Sequence, residues 1–250
     1  MNELLAQCKW PKLSEKYDIA LRSVVAYVLE NYAVSGIIAA GSVIRGSADQ
    51  ASDLDIYVVQ KEPFRQRLQR KINEVPVELF INPPLAIKGY FESEQAARRP
   101  ITAHMFVTGF VILNLDPVIG ELQAEAQEYL ANPPAAPMNL TFQRYLVALL
   151  YEDAVDVTEK DPLTANMIVN RAVWEMLNFH FIQAGQFIPR PKSLLTELAQ
   201  TNCQLAALAR NFYSEADINK KMEIAGQIAD QTVSARYFFE WDSPREKIAA

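Results

Sequence analysis

The sequence predicts an α+β chain in two parts, a layer of strands and helices followed by an all-α helical bundle. Three observations carry this. Short apolar runs alternate with helical patterns as far as Pro117, only long helical patterns follow it, and residues 132–137 (NPPAAP) place three prolines in six positions between them. With 250 residues, half of them hydrophobic, the chain is long enough for two domains with cores of their own, and we place these at 1–132 and 138–250.

Each element has its own warrant. Ser14 suits the cap of a helix over residues 14–32, with Ile19, Leu21, Val24, Val25, Val28 and Leu29 as its apolar stripe. Residues 37–40 and 54–59 are apolar runs of strand length, and 64–72 carries a helical pattern. Residues 75–81 form a third strand in which Pro76 implies a first or edge position. Helical patterns over 85–107 break at Pro100, a strand follows at 109–115, and a helix at 121–130. Beyond the prolines, helices are expected at about 141–159, 163–184, 192–212 and 215–240, stopped by Pro162, Gly185 and the pair Pro189 and Pro191. No repeat or low-complexity segment interrupts the pattern.

Charge and composition exclude several function classes. Net charge is −6 and the sequence pI is about 5.1, so affinity for nucleic-acid phosphates, which needs a basic face, is not expected. The longest apolar run is the seven residues 145–151, too short for a membrane span. The N-terminal residues lack the layout of a secretory signal, and the only cysteines, Cys8 and Cys203, are far apart, so a reducing cytoplasm is the expected compartment. His104 and His180 are too few and too separated for a metal site; both read as packed helical histidines. Residues 1–117 carry 13 basic and 13 acidic side chains and residues 118–250 carry 11 and 17, so the entire negative excess lies in the second part.

The chemistry concentrates in residues 37–59, IIAAGSVIRGSADQASDLDIYVV. A strand ends at Gly41-Ser42 and a helical turn begins there, leaving backbone N–H groups free beside a small hydroxyl, an arrangement that binds phosphate. Asp53 and Asp55 then open the next strand. Side chains at i and i+2 share a face, so the two carboxylates stand together while Leu54, Ile56 and Val58 point into the core. Paired carboxylates near a phosphate cradle suit Mg²⁺, and Glu78 on the following strand would complete a site for two ions about 3.5–4 Å apart. Arg45 either pairs with an aspartate or contacts phosphate.

Gly41-Ser42, ten intervening residues, then Asp53-Leu54-Asp55 resembles the signature of the nucleotidyltransferase superfamily related to DNA polymerase β. The resemblance implies a mixed sheet with flanking helices, a Gly-Ser turn that binds the β and γ phosphates of a nucleoside triphosphate, and acidic residues that hold Mg²⁺. The rest of the chain resembles the kanamycin and related aminoglycoside nucleotidyltransferases, which join such a domain to a helical bundle. The segment RPITAHMFVTGFVILNLDPVIGELQAEAQEYL is similar to their passage into the bundle. That branch takes its general base from the first bundle helix and a nucleotide-binding lysine four residues on. The resemblance assigns these roles to Asp156 and Lys160, with Asp where Glu is usual and with Glu152 and Glu78 as alternative bases. Helical spacing puts Glu152, Asp156 and Lys160 on one stripe. Lys192 could also reach a triphosphate, although a solvated helix start is the simpler account.

The expected activity is transfer of a nucleoside monophosphate, AMP from ATP in the first instance, to a hydroxyl of a small molecule, with pyrophosphate leaving. An aminoglycoside-like acceptor, as in antibiotic resistance, is what the narrower resemblance implies, and the acidic second part favours a cationic one. A homodimer stays open, because the kanamycin branch completes its site with a second subunit. Two alternatives remain: an adenylyltransferase that modifies proteins, and a non-catalytic nucleotide-binding module of the antitoxin type. The nuclease partner of such antitoxins has Arg and His a few residues apart, and Arg171 and His180 are too widely spaced for that.

Overall fold

β-branched and aliphatic runs build one five-stranded sheet in the first part of the chain, and a computed structural model describes residues 2–49, 51–138, 140–243 and 245. The chain divides into two compact units, Met1–Pro133 and Pro134–Ala250. In the first, α1 (Asn2–Gln7) and α2 (Glu15–Asn31) precede β1 (Val34–Ala40), α3 (Gly41–Ile44), β2 (Leu54–Gln60), β3 (Gln66–Ile72) and β4 (Val75–Asn82). Then come α4 (Pro84–Ala96), α5 (Ile101–Thr108), β5 (Phe110–Asn114) and α6 (Val118–Ala131). Strand order is β3-β4-β2-β1-β5, with β2 and β4 parallel and the other neighbours antiparallel, so the sheet is mixed.

Each sheet face is covered. Leu21, Val24, Val25 and Val28 of α2 pack on Ile37, Leu54, Ile56, Val58, Leu79 and Ile81. Ile38, Tyr57 and Val59 face the other way, onto Ile87, Phe91, Phe106, Ile119 and Leu122 of α4 to α6. β1 is buried throughout, which is why it reads as continuous apolar sequence and not as alternation. Ser14 occupies the cap position of α2 but makes no side-chain cap bond, and Ile19 is 48% exposed, so it leaves the stripe assigned to it.

One expectation fails outright: residues 66–72 are a strand, not a helix. The run QRLQRKI is an edge strand with charged, exposed side chains, the composition that protects an edge from unwanted pairing. It joins β4 through Asn73 and Glu74, both at positive φ (49° and 64°), the backbone of a tight hairpin turn in which glycine usually fills the second place. Pro76 lies in an interior strand but pairs there only with Lys71 of β3, because the β2 ladder begins at Val77; locally it stands at an edge.

The second unit contains α7 (Thr141–Val157), α8 (Pro162–Gln183), α9 (Leu194–Thr201), α10 (Cys203–Ser214) and α11 (Ile218–Gln231) around one apolar core. The single helix expected over 192–212 is two. Asn202 breaks it by accepting from the Leu205 N–H at 3.0 Å, which caps α10. The last helix stops at Gln231 and not near 240; Ser234 has φ 54°, and Arg236 folds back to pair with Asp230. No helix among the described residues is long and apolar enough to cross a membrane.

Burial holds His180, in the last turn of α8 and edge-on to Phe181, below the ordinary histidine pKa of about 6.5. The folded state therefore binds this proton less readily than the unfolded chain, and the stability His180 contributes is complete above pH about 6.5 and declines as pH falls toward the depressed folded value. Urea midpoints measured from pH about 8 down to about 5 should show this decline, and His180→Asn should show a flatter profile. Parallel profiles for the two proteins would remove the assignment.

Candidate active site

The sheet register builds the site. Ala40 pairs with Asp55, Asp55 with Glu78, and Glu78 with Gln69, so one transverse row runs from β1 through β2 and β4 to β3. Asp53, two residues before Asp55, projects on the same face. The three carboxylates each offer an oxygen within 4.8 Å of the others, and all three are accessible to solvent. Their backbones are held by Leu54, Ile56, Val77 and Leu79, each at most 2% exposed on the opposite face. Alternation along two neighbouring parallel strands thus converts buried aliphatic residues into a fixed acidic cluster.

Gly41 closes one side. Its φ is +85°, and a Cβ there would lie 2.3 Å from Asp55 Oδ2, so glycine is required both by the backbone and by the carboxylate against it. Ser42 follows at the start of α3. Its hydroxyl donates to Ser52 Oγ at 3.1 Å, Ser52 donates to Asp49 Oδ1 at 3.0 Å, and the Tyr17 hydroxyl donates to the Ser52 carbonyl at 3.1 Å. The loop between the turn and Asp53 is therefore tied at both ends. Glu78 is engaged by β3: Arg67 Nε at 2.9 Å, Arg67 Nη2 at 2.7 Å and Gln69 Nε2 at 2.9 Å all donate to Oε1.

Like charges at the separation of these carboxylates repel by about 3 kcal/mol at an effective dielectric near 20, and by less where water screens them. A cluster of that kind favours a cation. An all-carboxylate set of hard oxygens fits Mg²⁺ or Mn²⁺ and lacks the nitrogen or sulfur ligands that zinc sites prefer.

Residues 21–102, which contain the Gly41-Ser42 turn and all three carboxylates, match the family model of the nucleotidyltransferase domain. The chain carries a nucleotidyltransferase domain. It is the domain of a transferase, and nucleotidyl transfer is its general activity. Among solved structures, a nucleotidyltransferase-like protein from Exiguobacterium sibiricum 255-15 aligns with a TM-score of 0.53 at 14% identity, over 86% of this chain and 73% of that one; at this identity the likeness is one of fold. No curated protein sequence matches the chain significantly.

Within the nucleotidyltransferase domain the structure brings Gly41, Asp53, Asp55 and Glu78 together, with Ser42 next to Gly41. Arg45 is exposed and follows α3 as its C-terminal cap residue. The remaining candidates lie in the second unit. Asp156 is on the last turn of α7, which ends at Val157, and Lys160 lies in the turn that follows. No ion pair joins Asp156 and Lys160 among the described residues. Lys192 is exposed in the turn before α9. Sequence reasoning missed Ser52, Asp49 and Tyr17 around the Ser42 turn and Arg67 and Gln69 on Glu78. The adjacent Asp49-Gln50-Ala51-Ser52 carried a signal for the first group, since Asp49 Oδ1 accepts from the Ala51 N–H at 2.9 Å in a local Asp turn.

Proposed function

We propose that the chain is a Mg²⁺-dependent enzyme that transfers a nucleoside monophosphate, AMP from ATP as the first donor to test, to a hydroxyl of a small molecule and releases pyrophosphate. The observation that carries this is the contact of the Gly41 turn with Asp55 inside the cluster of Asp53, Asp55 and Glu78. Bound Mg²⁺ would supply Lewis-acid polarisation of the phosphates. The chain's own residues do the rest: the Gly41-Ser42 turn binds phosphate oxygens, with the Ser42 hydroxyl oriented by Ser52, and Arg45 adds positive charge. Asp156 accepts the proton of the attacking hydroxyl and Lys160 serves the nucleotide, roles that rest on the resemblance to the kanamycin branch, and Lys192 adds a second positive charge for the triphosphate.

The charge distribution supports a neutral or cationic acceptor, since residues 118–250 carry 17 acidic against 11 basic side chains. The full carboxylate set favours catalysis over a purely binding role. The test is acceptor-dependent pyrophosphate release from ATP and Mg²⁺ across a panel of polyhydroxylated amines, with labelled ATP and cell extract in parallel. We expect release with at least one amine, weakening as salt rises. Folded protein that turns over no acceptor would overturn the reading, and label on macromolecules would overturn the small-molecule acceptor.

A further inference from the structure

Arg67 and Gln69 belong to no motif, yet they hold one of the three carboxylates. Three N–H donors converge on Glu78 Oε1, whereas Oε2 accepts no hydrogen bond among the described residues. The register explains the convergence. Gln69 stands opposite Glu78, and Arg67, opposite Phe80, lies on the same face two residues along. The Arg67 guanidinium also rests over the Phe80 ring, 4.8 Å from its centroid, which fixes the direction of the fork. The pair is asymmetric: the Arg67 side chain is 64% exposed and that of Glu78 14%. An exposed arginine on an edge strand ordinarily points to water; this one is directed inward by ring and carboxylate together.

We propose that Arg67 and Gln69 are positioning residues, which fix Glu78 by Oε1 so that Oε2 is the oxygen presented to the metal. The proposal rests on the reading of Glu78 as a metal ligand. A carboxylate anchored at one oxygen loses the rotamers in which it would turn away from Asp53 and Asp55, and groups that orient ligands in this way typically contribute 10–100-fold to metal affinity or activity. Lysine cannot replace the function in full, because an ammonium is a point charge and offers no planar fork.

The experiment is Mn²⁺ binding to the full chain by electron paramagnetic resonance, with a non-hydrolysable ATP analogue present, for the wild type and for Arg67→Ala, Arg67→Lys, Gln69→Ala and Asp53→Asn. Thermal melts accompany each variant. Arg67→Ala should weaken Mn²⁺ binding by about 10–100-fold, with Arg67→Lys and Gln69→Ala intermediate, while the melting temperature stays near that of the wild type. The nucleotide KM measured at saturating Mg²⁺ should change by no more than about twofold. Wild-type Mn²⁺ affinity in Arg67→Ala, alongside loss of binding in Asp53→Asn, overturns the positioning role and leaves the metal site intact. Tighter binding in Arg67→Ala overturns it too, since the guanidinium would then only repel the ion. Undiminished binding in Asp53→Asn removes the metal site itself and both readings with it.

Discussion

Replacing Gly41 by alanine should lower turnover by at least about 100-fold and remove Mn²⁺ binding, with a loss of about 1–3 kcal/mol in stability. Two effects combine. A non-glycine residue at φ +85° is strained, and its Cβ would lie 2.3 Å from Asp55 Oδ2 and 3.2 Å from Cγ. Asp55 cannot retreat by moving its backbone, because β2 is paired on both sides, with β1 and β4, and the flanking Leu54 and Ile56 are fully buried. Its carboxylate must rotate away from Asp53 and Glu78 instead. Gly46 separates the two effects, since it also has positive φ, at +73°, but its Cβ would meet nothing within 4 Å. Gly46→Ala should therefore show backbone strain with metal binding retained. Equal metal binding in Gly41→Ala and the wild type, measured by Mn²⁺ titration, would refute the proposed contact.

The sequence patterns that were legible are those in which burial and period agree. β4 alternates buried Val75, Val77, Leu79 and Ile81 with the less buried Pro76, Glu78 and Phe80, β2 reads as an apolar run because both of its faces are covered, and α2 carries its buried stripe at helical spacing. β3 was illegible because it buries almost nothing: Leu68 and Ile72 are only partly covered, and their spacing of four suits a helix as well as a strand. The hairpin turn that would have corrected the assignment has glutamate where glycine gives the usual signal. In the bundle, the division between α9 and α10 rests on one side-chain cap at Asn202, too small a mark to stop a continuous apolar period.

The fate of the site follows from the same distinction. Gly41, Ser42, Asp53 and Asp55 are read from a local motif, and Glu78 from its place on the strand expected over residues 75–81, which the structure contains as β4. Arg67 and Gln69 were hidden because their contact with Glu78 depends on the β3–β4 register, which does not exist if residues 64–72 are taken as a helix. Lys160 is chosen by a helical spacing from Asp156 that runs past the end of the element: α7 ends at Val157, Lys160 lies in the turn that follows, and Asp161 caps α8 by accepting from the Thr164 N–H at 3.1 Å.

Asp53→Asn should reduce transfer by about 10³-fold or more while the melting temperature in metal-free buffer holds or rises. A bound metal contributes several kcal/mol to stabilising charge in the transition state, and about 4 kcal/mol corresponds to three orders of magnitude. The substitution keeps the shape of the side chain, and its carboxylate makes no hydrogen bond or ion pair among the described residues, so no partner is stranded. It removes one of three like charges crowded within 4.8 Å, which relieves repulsion in the metal-free fold. Mg²⁺ should raise the wild-type melting temperature and leave that of Asp53→Asn unchanged, because only a ligand that binds the native state shifts the equilibrium. A structural aspartate would give the opposite pattern: lower stability without metal, no change in the Mg²⁺ response, and activity lost only in proportion to unfolding. The decisive comparison is therefore the sign of the stability change beside the loss of turnover. A variant that is at least as stable as the wild type, inactive and indifferent to Mg²⁺ identifies a carboxylate retained for its charge, at a position where the fold alone would be better served by a neutral side chain.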